Sequence, residues 1–299
     1  MTKRYVVGSG GALGGVLVAG LGATGVKLRH PGATLDAVVP ELAEADVVVN
    51  LSGPRVRPNL GWDDYLREHV GTATAVARAM RPGTHLIHFG SAAVYGAQRG
   101  VLGPEAAEEP ISFPNPSYAW AKLAGEHAAR AICHERNVRI TVVRPAMVYG
   151  VSVTSAFDTM FSLAKKRLLV QLLPGEVKQH CLHVSLLVRA IELLAERGPV
   201  SALPLPLVDP FVFTNAELNA AVARKHRGLK VPAPLPLAEA VLRRWPRFPD
   251  LDAPGALAAF AFLGLDIELD WRPLFGALGL AEAEFSKEKT FTRYVEESA

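Results

Sequence analysis

Tyr5-Val6-Val7-Gly8-Ser9-Gly10-Gly11-Ala12-Leu13-Gly14 decides the fold. An aromatic and two β-branched residues run straight into glycines at 8, 11 and 14, and an apolar stretch follows over 13–21. This predicts a buried strand, a tight turn and the start of a helix. A G-x-x-G-x-x-G turn in that place lets backbone N–H groups close on a pyrophosphate, with the positive end of the helix behind them. The expected cradle is Gly8, Gly10, Gly11, Ala12 and Leu13.

Outward from this turn the pattern repeats. Val26-Lys27-Leu28-Arg29 predicts a second strand and 46–51 a third, followed by a helix over 62–80. Leu86-Ile87-His88-Phe89 predicts a strand that ends at Gly90-Ser91. A long helix over 118–136 and a strand over 139–143 complete the series. Strand runs that are apolar throughout are buried on both faces, which means a parallel sheet covered by helices. The expected class is α/β, a Rossmann-type doubly wound sheet.

The second half changes character. Helices are expected over 160–170 and 184–197, with a helix start at Thr214-Asn215 and its partner Glu217. Leu203-Pro204-Leu205-Pro206 and the proline-rich run over 231–236 read as rigid connectors. We expect residues 1–150 to bind a dinucleotide and residues 151–299 to form a smaller, mostly α substrate-binding region. The two are interleaved, because a strand and helix over about 178–210 return to the first.

Composition narrows the function. Of 299 residues, 49% are hydrophobic and 20% charged, as in a globular enzyme with ample core. The formal charge of +3 is spread along the chain without a Lys/Arg block, so no nucleic-acid partner is expected. Cys133 and Cys181 read as buried thiols of a reducing cytoplasm. His180, Cys181 and His183 come closest to a metal set, and no metal site is expected. The apolar stretch after Lys3 and Arg4 resembles a signal peptide, but its glycine spacing belongs to the turn described above. No uninterrupted apolar run reaches a membrane span of about 18 residues.

The chemistry concentrates in Ser117-Tyr118-Ala119-Trp120-Ala121-Lys122. Tyr118 and Lys122 lie four apart, hence one turn apart on one helix face. An ammonium there is expected to lower a phenol pKa that normally lies near ~10, making Tyr118 usable as an acid or base. Ligands of an open parallel sheet lie at the carboxyl ends of the strands. That places Leu51, Ser52 and Gly53 beside the cofactor and Ser91 beside Tyr118. Dinucleotide sites read the adenosine ribose at the end of strand two, where NAD calls for an acidic residue. Here Arg29 stands there, with no acid before Asp36. A guanidinium suits a 2′-phosphate, so the cofactor is NAD(P) with NADP favoured.

Together these pieces resemble the extended short-chain dehydrogenase/reductase family, its NAD(P)-dependent epimerase, dehydratase and reductase branch. The matching residues are the glycine turn at 8–14, Asn50-Leu51-Ser52-Gly53, Ser-Ala-Ala-Val-Tyr-Gly at 91–96, Tyr118 with Lys122, and Arg-Pro-Ala-Met-Val-Tyr-Gly at 144–150. The resemblance covers about residues 4–230. It implies Tyr118 as the acid/base, Lys122 on the nicotinamide ribose, Ser91 aligning the substrate oxygen and Pro145 beside the cofactor. It also implies a homodimer paired through the helices over 62–80 and 118–136.

Departures from the family pattern matter equally. Ala92-Ala93 replaces the acidic pair of the dehydratases, which argues against dehydration. His69 stands where the family often has asparagine. Met147 replaces an asparagine that many epimerases use on the substrate phosphate, and a thioether donates no hydrogen bond. Lys165, Lys166 and Arg167, or Lys178 and His180, are the other candidates for a diphosphate. The first reading is a nucleotide-sugar epimerase or reductase. The alternatives are an NADPH-dependent reductase of another carbonyl compound and a non-catalytic NAD(P)-binding protein.

Overall fold

Six short strands lie side by side in the computed structural model, which describes residues 2–27, 39–55, 60–96, 98, 100–110, 116–153, 155–234 and 266–298. Their order is Leu205–Leu207, Arg139–Pro145, His85–Phe89, Val47–Asn50, Arg4–Val7 and Thr24–Val26, all parallel. The register pairs Val6 with Val49, Val49 with Ile87, and Ile87 with Thr141. The chain goes outward from the first strand to the second, then crosses back to place the third on the other side of the first. The switch point therefore falls between Arg4–Val7 and Val47–Asn50, where a doubly wound sheet opens a crevice.

Period-2 alternation explains both faces of the sheet. Val6, Val49, Ile87 and Val143 point to one side, against Leu17 and the leucines and isoleucine of helix Val184–Arg197. Val7, Val48 and Leu86 point to the other, against Ala73, Val76, Ala77, Met80, Ala129 and Cys133. Both cysteines are free and buried. A separate core holds Tyr149, Phe157, Phe161, Leu172, Cys181, Phe213, Phe291 and Tyr294 in the second half. Among the described residues, no helix is long and apolar enough to cross a membrane.

Several sequence expectations shift. Leu205–Leu207, read as part of a proline connector, is the edge strand beside Arg139–Pro145. Leu229–Pro234 likewise pairs in parallel with Leu168–Leu173. Proline is tolerated on edges because its missing N–H faces no partner there. The helix expected over 160–170 spans Ala156–Lys165 and gives way to a strand after Arg167, whose φ of 63° breaks it. The second strand ends at Val26, and Arg29 lies outside the described residues. The expected helix over 62–80 is divided into Trp62–Tyr65, a widened π-helical turn Leu66–Gly71, and Thr72–Ala79. The Thr214–Glu217 box forms as expected: Thr214 Oγ1 accepts from the Glu217 N–H at 3.2 Å, and Glu217 Oε2 from the Thr214 N–H at 2.7 Å.

Candidate active site

The crevice at the switch point is lined by glycines for steric reasons. Gly8 has φ +92°, and a Cβ there would lie 3.1 Å from the Ser52 backbone across the crevice. A Cβ on Gly14 would sit 2.3 Å from the Gly8 carbonyl oxygen. Gly11 caps helix Ala12–Leu21 with no side-chain bond to its free N–H groups, and the first turn has no acidic residue. Ala12 and Leu13 therefore open the positive end of this helix. A backbone cradle of this kind, free of carboxylates, fits the pyrophosphate of a dinucleotide. Exposed Lys27 packs beside it, its Cγ 3.8 Å from where a Gly10 Cβ would be.

The opposite wall is the turn after Val47–Asn50. Buried Asn50 organises it: Oδ1 accepts from the Ser52 N–H at 3.2 Å and the Ser52 hydroxyl at 2.5 Å. Its Nδ2 lies 3.4 Å from His88 Nδ1. The Leu51 N–H donates to Val7 at 3.2 Å, tying this turn to the first strand. Gly53, at φ +117°, leaves room for His69, whose Nδ1 would be 2.1 Å from a Cβ.

Ser91 follows strand His85–Phe89 at the same edge, and its Oγ accepts from the Ala93 N–H at 3.2 Å. Helix Pro116–Glu135 brings Tyr118 to it, and the phenol shares a hydrogen bond with the Ser91 hydroxyl. One turn on, buried Lys122 donates from Nζ to the Phe89 carbonyl at 3.0 Å. The structure thus gathers Ser91, Tyr118 and Lys122 at one edge, with Gly8–Leu13 and Leu51–Gly53 at the adjacent switch point. Pro145 ends the neighbouring strand, partly exposed.

The electrostatics differ from the sequence expectation. Burial pushes the Tyr118 phenol above its ordinary value; the Ser91 hydrogen bond and the Arg55 charge pull it down less strongly. Lys122 is not among the groups acting on the phenol, because its ammonium is turned to the Phe89 carbonyl. Burial lowers Lys122 itself to about 8, against the opposing charge of Glu126. His69 and His88 flank Lys122, and burial first, then the ammonium, lowers them to about 2 and about 3. Both rings are neutral.

Beneath this edge lies an ion cluster the sequence reading missed. Arg144 is 1% exposed and pairs with Glu126, Nη2 to Oε2 at 2.7 Å and Nε to Oε2 at 3.1 Å. It also pairs with Glu108 and lies over the Tyr95 ring, 4.8 Å from its centroid. Gly90 is required here, since a Cβ would meet Glu126 Oε1 at 1.9 Å. The available signal was Glu126 four residues after Lys122, which continues the Tyr118–Lys122 stripe along the helix.

A profile of the NAD dependent epimerase/dehydratase family matches residues 6–202, from the first strand through the helix Val184–Arg197. The chain belongs to that family. This epimerase/dehydratase-family protein is an NAD(P)-dependent enzyme of the short-chain dehydrogenase/reductase type. Its fold is similar to several solved structures at low identity. MoeE5 in complex with UDP-glucose and NAD matches at TM-score 0.73 and 19% identity, over 98% of this chain and 96% of that one. UDP-glucuronic acid 4-epimerase from Bacillus cereus, in complex with UDP-glucuronic acid and NAD, matches at 0.73 and 14%, over 100% of both. The human epimerase family protein SDR39U1 (isoform 2) with NADPH matches at 0.72 and 20%, over 99% of both. A sequence comparison with curated proteins finds no match.

The diphosphate candidates of this family member separate. Lys178 is paired with Glu268 at 2.8 Å, and His180 is held between the Asp209 carbonyl and the Leu269 N–H at 2.7 and 3.0 Å. Lys165 and Arg167 line a basic pocket of about 490 Å³ with Lys225, His226 and Arg227. Met147 sits half-buried in a strand against the second core. Among the described residues, no His, Cys, Asp and Glu cluster forms a metal set.

Proposed function

We propose that this enzyme transfers a hydride at a hydroxyl or keto carbon of a nucleotide-sugar, with Tyr118 as acid/base. The observation that carries the reading is the hydrogen bond between Ser91 and Tyr118, one helical turn from buried Lys122. Bound NAD(P) supplies the hydride acceptor or donor at this edge. Ser91 aligns the substrate oxygen, and Tyr118 takes or returns its proton. Lys122 remains charged below pH about 8 and ties the helix of Tyr118 to the strand that carries Ser91, while the Ser91 hydrogen bond and the Arg55 charge favour the phenolate. Ala92 and Ala93 occupy the turn after Ser91, where neither supplies an acid to expel water, so the reaction stops short of dehydration.

NADP is favoured over NAD. Exposed Lys27 beside Gly10 supports this reading, together with the basic residue Arg29 in the sequence where an acidic one would read NAD. The nucleotide-sugar class rests on the family and on the UDP-sugar complexes of MoeE5 and the Bacillus cereus epimerase. We further propose a homodimer. Trp62 and Trp120 are 44% and 49% exposed on the two helices expected to pair, a cost that a partner surface removes. Ala121, Leu123 and Ala129 of the second helix are buried within the protomer.

The test is to purify the protein, measure NADPH and NADH binding by calorimetry, and assay UDP-sugars for epimerisation and for net reduction. Retained dinucleotide with interconversion of epimers identifies an epimerase, and stoichiometric NADPH consumption a reductase. A protein that binds neither dinucleotide sinks the proposal.

A further inference from the structure

Within the site, the imidazole of His69 has one nitrogen that the chain leaves unused. The ring is 4% exposed, stacked on Tyr65 at 5.8 Å and 3°. It stands edge-on to Tyr118 at 5.6 Å and 78°. Its Nδ1 side faces the Gly53 turn, where the Ser52 and Pro54 carbonyls hydrogen-bond the ring. Nε2 is buried and has no hydrogen-bond partner among the described residues.

These facts assign the tautomer. Carbonyls accept, so the one proton of a neutral ring belongs on Nδ1. Nε2 is then a bare acceptor. The nearby Lys122 ammonium donates elsewhere, to the Phe89 carbonyl. A buried acceptor without a donor is unfavourable, and few such groups persist without a reason. Its place in a π-helical turn fits a ligand-facing role, since such widened turns occur frequently at functional sites.

We propose that His69 Nε2 accepts a hydrogen bond from the nicotinamide–ribose half of the bound dinucleotide. This rests on the reading above that NAD(P) spans the crevice from the Gly8 turn to Tyr118. The chemistry selects the partner: an acceptor needs a donor, which that half offers as hydroxyls and a carboxamide N–H. The pyrophosphate has none and is excluded. His69 is thus a positioning residue, holding the cofactor's reacting end beside the phenol.

The test compares wild type with His69→Phe, a flat ring with no acceptor, and His69→Asn, which restores one. Calorimetry measures NADPH and, separately, ADP, which lacks the nicotinamide–ribose half. The expected result for His69→Phe is NADPH affinity about tenfold weaker, the scale of one hydrogen bond. ADP affinity stays unchanged. His69→Asn recovers part of the NADPH affinity. In wild type, which needs no variant to fold, the ¹⁵N resonance of Nε2 shifts on adding NADPH but not on adding ADP. Unchanged NADPH affinity in His69→Phe, an equal loss for NADPH and ADP, or a static Nε2 resonance overturns the proposal. Wild type that binds no dinucleotide overturns the functional reading itself.

Discussion

Lys122 Nζ donates to the Phe89 carbonyl at 3.0 Å, so the helix of Tyr118 is pinned to the strand that delivers Ser91. Burial lowers this lysine from 10.5 to about 8. The folded pKa lies below the unfolded one, so between pH about 8 and 10.5 the unfolded chain binds more protons. Stability contributed by this site therefore rises with pH across that window, by up to about 3 kcal/mol. Urea melts of wild type and Lys122→Met as a function of pH check this. The variant should lose that rise, and parallel pH curves would refute it.

The turn at Gly53 and the ring of His69 occupy one space. Gly53→Ala adds a methyl 2.1 Å from His69 Nδ1 and forces an L-residue to φ +117°. We expect a loss of at least about 2 kcal/mol from the strain and clash combined. His69→Ala in the same chain removes the clash but not the strain. A double-mutant cycle by denaturant unfolding should show coupling of about 1 kcal/mol or more, and additive losses would contradict the contact.

Arg144 and Glu126 form the most buried ion pair of the site. Glu126→Gln leaves the guanidinium facing only Glu108 in a desolvated position and should cost about 3–5 kcal/mol. Exposed pairs offer the control. Arg293→Ala, which removes the bond to Glu297 at 2.7 Å, should cost under about 1 kcal/mol by thermal unfolding. Equal costs for the two would show that burial does not set the strength here.

Much of this was legible in sequence because short-range rules enforce it. The glycine pattern at 8 and 14 has a local steric cause, since a Cβ would crowd the Ser52 backbone at Gly8 and collide with the Gly8 carbonyl at Gly14. Tyr118 and Lys122 read correctly as helix neighbours, but the direction of the ammonium depends on the Phe89 carbonyl, 33 residues away in sequence. Leu205-Pro206-Leu207 read as a connector because proline hides an edge strand whose partner, Val143-Arg144-Pro145, is distant in the chain. The π-helical turn at Leu66–Gly71 leaves no periodicity break, so the inward placement of His69 emerged only from packing. The Glu126–Arg144 pair required helix and strand to be brought together before it could be seen.

In the proposed reaction Tyr118 moves the proton that accompanies hydride transfer. Stopped-flow absorbance of bound nicotinamide, with a UDP-sugar that wild type turns over, measures that step directly in wild type and Tyr118→Phe. Phenylalanine keeps the ring contacts with Tyr65 and His69, so NADPH affinity should stay within about twofold. The hydride-transfer rate should fall by about 10²–10⁴-fold. A Tyr118→Phe enzyme that transfers hydride at the wild-type rate would contradict the account.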